Sequence, residues 1–339
     1  DFSSLICACR WQLFLSSCFQ SFAATVKALK GCRLLTLTTS MIGQRLLVGR
    51  RSSFAVSRFC VSRFSTASSS SSDELVATHV DDSTNIATLT MQHGPVNSLS
   101  LEMLQALSTS IKTVEANPSV KALILQSSNK TIFSAGLDIT EMHNPEMDRL
   151  KEFWNSFQQL YLDLYGSRLP CVASLQGTAP AAGCMLALSC DYRILVANPK
   201  AKIGLNETQL GIVPPAWLSR QMVDTIGHRK AEISMGLGTL YSPEQALEIG
   251  LVDEIIDGED DAREKVAERS MEMALAFGKI LPHAWYANKR QIRGQAIAEM
   301  KQNRQQDLDN FVHFVTREQT QKNLTAYLQA LAKKKAPKK

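Results

Sequence analysis

From residue 85 onward, short apolar runs bounded by turn residues alternate with longer stretches whose apolar positions recur at helical spacing. NIATLTM reads as a strand, and HGPVNS after it as a turn. Ser100 then caps a helix that gathers Leu101, Leu104, Leu107, Ile111 and Val114 on one side and stops at Asn117-Pro118. ALILQS (122–127) predicts a short buried strand, FSAGLD a loop, and residues 147–165 a further helix. CVASLQ (171–176) is another strand, GTAPAAG a turn of small residues, CMLALSC a short buried helix, and DYRILVA (191–197) a strand. In SPEQALEIG, Ser242 and Gln245 form a capping box, Pro243 takes the first helical position and Gly250 closes the element. From about residue 262 the pattern is mostly helical. Leu308, Phe311, Val312, Val315, Leu324, Tyr327 and Leu331 make an apolar stripe of the kind that faces a core or another subunit. Strand-to-helix units followed by a helical end predict an α/β core with a C-terminal helical part.

Charge divides the chain differently. Residues 1–72 hold one acid, Asp1, against nine Lys or Arg, and residues 41–72 hold five Arg, no Lys and a terminal run of serines. An Arg-rich, Ser-rich, acid-free segment is the composition of a mitochondrial targeting peptide. The expected organisation is an upstream extension and targeting peptide over 1–72, starting as a peptide at Met41 and processed near Arg63 to Ser65. A core over 73–265, a helical region over 266–332 and a Lys-rich tail over 333–339 follow it. Without the first 72 residues, 37 basic and 32 acidic residues become 28 and 31, so the basic excess disappears. A broad nucleic-acid-binding face is therefore not indicated, and no segment is long and apolar enough to predict a membrane span. Cys171, Cys184 and Cys190 remain in the body, an odd number without metal-ligand spacing, and read as buried thiols.

Motifs for phosphate loops, dinucleotide folds and zinc proteases are missing, and His93 and His228 lie in turn-like contexts. Ser134 in IFSAG lacks the first glycine of a nucleophile elbow. Neither a metal nor a nucleophilic serine is expected. Two turns of small residues stand out, SAGLD (134–138) and APAAGC (179–184), each running from a buried strand toward a helix. Such turns let a ligand approach the main chain, and N–H groups at a helix start carry partial positive charge. Tight packing and a pair of donors aimed at one oxygen are both open readings of them. One acid, Glu207, sits among apolar residues, glycines and prolines in KIGLNETQLGIVPP.

IFSAGLDITEM, SLQGTAPAAGCMLALSCDYRILVA, KIGLNETQLGIVP and ALEIGLVDEII resemble, in order and spacing, the crotonase (enoyl-CoA hydratase/isomerase) superfamily, over roughly residues 75–335. NSLSLEML, SAGLDITEM and GLNETQLGI look most like its isomerase branch, which shifts a double bond of an enoyl-CoA. The resemblance implies a spiral of ββα units, a C-terminal helical region that mediates homotrimers, and an acyl-CoA thioester substrate with no separate cofactor. It also implies backbone oxyanion donors at Ala135 and Ala182, with Gly183 as the fallback for the second. Gly136, Leu137, Asp138 and Ile139 match the segment along the CoA moiety. Relatives that add water hold two glutamates; one matches Glu207, and the other falls where this chain has Met185. One carboxylate suits moving a proton from C2 to C4, whereas hydration is best served by two. The expectation is thus an isomerase of 3-enoyl-CoA with Glu207 as sole base and Met185 drying the pocket. A hydratase and a non-catalytic acyl-CoA or RNA binder are the alternatives. Lys289 and Arg290 are candidates for the CoA phosphates.

Overall fold

Strands β1 (Val76–Asp81) and β2 (Ile86–Met91) form an antiparallel hairpin. From β2 onward every further strand of the main sheet is added in parallel: β4 (Ala122–Ser127), β6 (Cys171–Leu175), β8 (Tyr192–Val196) and β10 (Glu254–Ile256). The computed structural model describes residues 74–257 and 261–335, so the expected targeting segment lies outside the described residues. Each central strand is followed by a two-residue strand: β3 (Ser98–Leu99), β5 (Gly136–Leu137), β7 (Ala179–Pro180) and β9 (Ile203–Gly204). These pair as β3–β5 and β7–β9, apart from the main sheet. After each short strand the chain reaches a helix: α1 (Leu101–Ala116), α2 (Met147–Tyr165), α3 (Ala182–Ser189) and α4 (Ala216–Ile226). The result is a right-through succession of ββα units, the α/β spiral anticipated above.

Local chemistry accounts for the elements. Ser100 caps α1 by accepting from Met103 N–H, and the buried face is Leu101, Leu104, Leu107, Ile111 and Val114, as the apolar spacing required. Strand β6 is buried at every position, which a central parallel strand needs because both faces are covered. Part of that cover is α7 (Ala262–Gly278), which lies against β4, β6 and β8. The boundary expected at residues 265 and 266 falls inside this helix, so the sheet layer continues to Gly278. Strand β1 was not anticipated: of its six residues only Val76 is buried, and an edge strand that sheds water on neither face leaves no apolar run. Nor were α4 and α5 (His228–Leu237) anticipated, although Leu218, Met222 and Ile226 repeat every four residues and Gly227 and Gly238 mark the ends.

The C-terminal part is α6 (Pro243–Glu248), with the expected capping box, then α7, the long α8 (Pro282–Val315) and α9 (Glu318–Lys335). The first residues of the expected Lys-rich tail are thus the last turn of α9; residues 336–339 lie outside the described residues. Helix α8 is tied to the sheet by buried ions. Asp191 takes Lys289 Nζ at 2.8 Å and Arg293 at 2.9 Å, and also accepts from Cys171 N–H at 2.8 Å. Lys289 is only 4% exposed at its side chain, so it anchors α8 and is not available to CoA phosphates. Arg290, by contrast, is exposed on the same helix.

Candidate active site

The first small-residue turn is built on Asn97. This residue sits at φ 49°, is almost fully buried, and donates to Met91 O, Ser127 Oγ and Phe133 O while accepting His93 N–H. An Asn tolerates the left-handed region because its short amide can bond locally. So fixed, Val96 O accepts Ala135 N–H at 3.0 Å and Asn97 O accepts Ser134 Oγ at 2.7 Å. That first bond corrects one expectation: the Ala135 amide is already occupied and cannot be an oxyanion donor. Gly136 N–H meets Ser134 Oγ at 3.2 Å and Asp138 N–H meets Leu99 O at 3.1 Å. Alternation along a strand therefore turns the intervening Leu137 N–H away from β3.

The second turn is held on both sides. Thr178 N–H bonds Thr131 O, Ala179 N–H bonds Lys202 O, and Ala181 N–H bonds Gly204 O at 2.8–2.9 Å. A side chain at Gly177 would lie 2.1 Å from Thr131 backbone, which is why only glycine fits there. Ala181 has φ 50° and ψ −125°, a glycine-like conformation, and delivers the chain into α3. The first bond inside that helix is Met185 N–H to Ala181 O, so the preceding amides, Ala182 among them, begin the helix without an intrahelical acceptor.

The two turns touch. A Cβ placed on Gly136, at φ +91°, would be 3.2 Å from Ala182 N and 3.1 Å from Ala181 Cβ. Gly183 packs differently: its Cβ would be 2.5 Å from Ser134 O, so it is the spacer that lets α3 approach the first turn. Of the two positions considered for the second donor, Ala182 is at the cavity and Gly183 is not.

Glu207 reaches this place because Gly204 pairs with Pro180. Three residues past that pairing it opens a 3₁₀ turn (Glu207–Leu210), closed by Gly211 at φ 72°. Thr208 Oγ1 donates to Met235 O at 2.9 Å and Gln209 Nε2 to Gly238 O at 2.8 Å, so the polar residues of ETQ clamp the turn to α5. The carboxylate has no such partner: Oε2 is buried without a hydrogen bond. Burial pushes its pKa up to about 7, partly opposed by its own backbone N–H.

All of this meets in one cavity of about 110 Å³, partly open to solvent. Of the residues singled out from the sequence, Ala135, Leu137, Ile139, Ala182 and Glu207 line it. Gly136, Asp138 and Met185 do not. Gly136 lies behind the wall, and Asp138 caps the next turn, accepting Thr140 N–H at 2.9 Å and Ser98 Oγ at 3.1 Å. Met185 is fully buried within α3, with Ser189 Oγ against its sulfur at 3.4 Å, so it packs into the core and not into the cavity wall. Sequence reasoning missed the opposite wall: Met142, Trp154, Phe157, Leu218, Phe311 and Tyr327. Phe311 and Tyr327 belonged to the apolar stripe, but that pattern does not tell core from cavity wall. Glu207 is the sole acid among the lining residues.

The family model for enoyl-CoA hydratase/isomerase matches residues 81–336. The chain belongs to the enoyl-CoA hydratase/isomerase family. Within it, this chain is 41% identical over 264 residues to enoyl-CoA delta isomerase 1, mitochondrial, of Rattus norvegicus, covering 78% of this chain and 90% of that protein. The Homo sapiens protein of the same name is 39% identical over 255 residues, covering 75% and 83%. Among solved structures, human mitochondrial delta3-delta2-enoyl-CoA isomerase superposes with a TM-score of 0.75 at 38% identity, over 77% of this chain and 100% of that one. The enoyl-CoA hydratase of Bacillus halodurans gives 0.67 at 26% identity, over 74% and 99%. Among the described residues no cluster of side chains suits a metal ion, and no helix is long and apolar enough to cross a membrane.

Proposed function

We propose that this protein isomerises 3-enoyl-CoA to trans-2-enoyl-CoA in the oxidation of unsaturated fatty acids, with Glu207 as the single acid/base group. The observation that carries this reading is the lone carboxylate, its Oε2 buried without a hydrogen bond, in a largely apolar cavity that two main-chain turns in contact also line. The thioester oxygen of the substrate sits between the N–H groups of Leu137 and Ala182. Glu207 takes a proton from C2; the C2–H electron pair moves into a dienolate whose negative charge rests on that oxygen. The protonated Glu207 then returns the proton to C4, the C2=C3 bond forms and the carboxylate is regenerated. Each fixed donor that meets the oxyanion is worth about 3–4 kcal/mol of barrier, and the helix N-terminus at Ala182 adds to the attraction.

Hydration asks for a second carboxylate to orient water, and the cavity wall has only Glu207. Coenzyme A enters as part of the substrate, and proton transfer of this kind needs no further cofactor. Relatives named mitochondrial, together with the Arg-rich, acid-free first 72 residues, support a mitochondrial matrix location with that segment as targeting peptide. The family resemblance supports a homotrimer, with α8 and α9 near the subunit contact.

The test is turnover of a 3-enoyl-CoA, with the product's double bond located by its ultraviolet spectrum. Glu207→Gln removes the base and keeps the shape; turnover and exchange of the C2 proton in deuterated buffer should both fall by about 10²–10⁴-fold. Near-normal exchange in that variant would place the base elsewhere.

A further inference from the structure

Trp154 and Phe311 face each other across α2 and α8 with ring centroids 3.6 Å apart and planes within 7°. The Trp154 edge is latched: its Nε1–H donates to Asp307 Oδ2 at 2.8 Å, an oxygen that also takes Gln158 Nε2 at 2.8 Å and Trp217 Nε1 at 3.3 Å. The pair is wall to two cavities at once. One is the cavity of Glu207. The other has a volume of about 370 Å³, is partly open, and continues along Ala216, Phe314 and Val315. Trp154, Phe311, Ile212, Val213, Pro214 and Pro215 are the surfaces the two spaces have in common.

We infer that the stacked Trp154–Phe311 pair is a partition that sets the length of acyl chain the site accepts, with the second cavity as closed-off room for a longer one. This rests on the reading of the Glu207 cavity as an acyl-CoA site. The thioester end of the substrate belongs at the polar side, where Leu137, Ala182 and Glu207 meet. Away from that side the wall includes Ile139, Met142, Phe157 and Leu218 with the stacked pair, a mostly apolar surface that suits hydrocarbon. A methylene chain running away from Glu207 along that wall ends on the rings. Stacked aromatic rings resist separation by more than their buried area alone, and the Asp307 latch removes the rotation that would let the tail pass.

The experiment compares kcat/KM for 3-tetradecenoyl-CoA and 3-hexenoyl-CoA. The wild type should favour the shorter substrate. Phe311→Ala joins the two cavities and should raise the long-to-short ratio roughly tenfold or more, in line with the discrimination an apolar pocket achieves per methylene. Trp154→Phe keeps a ring but loses the latch, is gentler on folding, and should move the ratio the same way by less. Trp217→Phe removes another donor to Asp307 from a ring that does not line the Glu207 cavity, and should leave the ratio unchanged. A ratio unaltered in both Trp154→Phe and Phe311→Ala, or shifted equally by Trp217→Phe, overturns the partition. Should no 3-enoyl-CoA turn over at all, the isomerase reading fails instead. The partition is then read from calorimetric affinities for saturated tetradecanoyl-CoA and hexanoyl-CoA, with the same expected and overturning ratios.

Discussion

A carboxyl group at position 207 with an ordinary pKa would be ionised at any physiological pH; burial, partly opposed by its own backbone N–H, brings it to about 7. Two consequences follow from that displacement. As a base it must be deprotonated, so kcat/KM should fall about tenfold per pH unit below 7 and level off above it. A profile flat down to pH 5 would exclude Glu207 as the group that titrates. The second consequence is for stability. Below 4.5 both folded and unfolded chains hold this proton, and the group costs nothing. As pH rises from 4.5 through about 7 the unfolded chain loses it first, and stability declines by up to about 3 kcal/mol. Glu207→Gln should therefore raise Tm above pH 7 and leave it unchanged below 4.5. Equal Tm values at both ends would mean the side chain is hydrated rather than buried. At this scale the acid was legible, because one charged residue among Leu, Ile, Gly and Pro has few structural uses. Ala135 was not: that its amide is occupied depends on Val96, 39 positions earlier.

Among elements, the decisive contact is between the β5 turn and the start of α3. Gly136→Ala would place a methyl 3.2 Å from Ala182 N at a φ that L-residues rarely adopt, pushing the two amides apart. The expected result is a loss of about 10²-fold or more in kcat with KM much less affected, since the oxyanion is held only in the transition state. A rise in KM alone would show that the turns serve binding and not catalysis. The helices with strong periodicity and caps, α1 and α6, were readable to within a residue. The two-residue strands β3, β5, β7 and β9 were not, because a pair of residues has no period. They nevertheless position the site: β7 beside β9 leads both the start of α3 and the Glu207 turn to one cavity.

For the whole molecule, the cavity is completed from the far end of the chain. Helix α9 brings Tyr327 to the wall and is fastened beside it. Gln321 bonds Met142 O at 2.9 Å and Asn144 N–H at 2.8 Å, and Thr325 meets His143 at 2.9 Å. Ending the chain after Thr316 would open that side to water. The inflection in kcat/KM should then move from about 7 toward the ordinary carboxylate range, with a reduced plateau. An unmoved inflection, with helix content matching the loss of α9 alone, would show that α9 does not keep the site dry.

Periodicity, caps and the family motifs by themselves determined the α/β class, the two small-residue turns, and the one acid set among apolar residues that is proposed to carry the proton. These are local matters, written in spacing and side-chain type. Which amide is free, that Met185 and Lys289 are buried away from any ligand, and that Trp154 and Phe311 meet were decided only in three dimensions. Each is a contact between segments far apart in the chain, and such contacts arise from packing, which leaves no periodic trace in either segment.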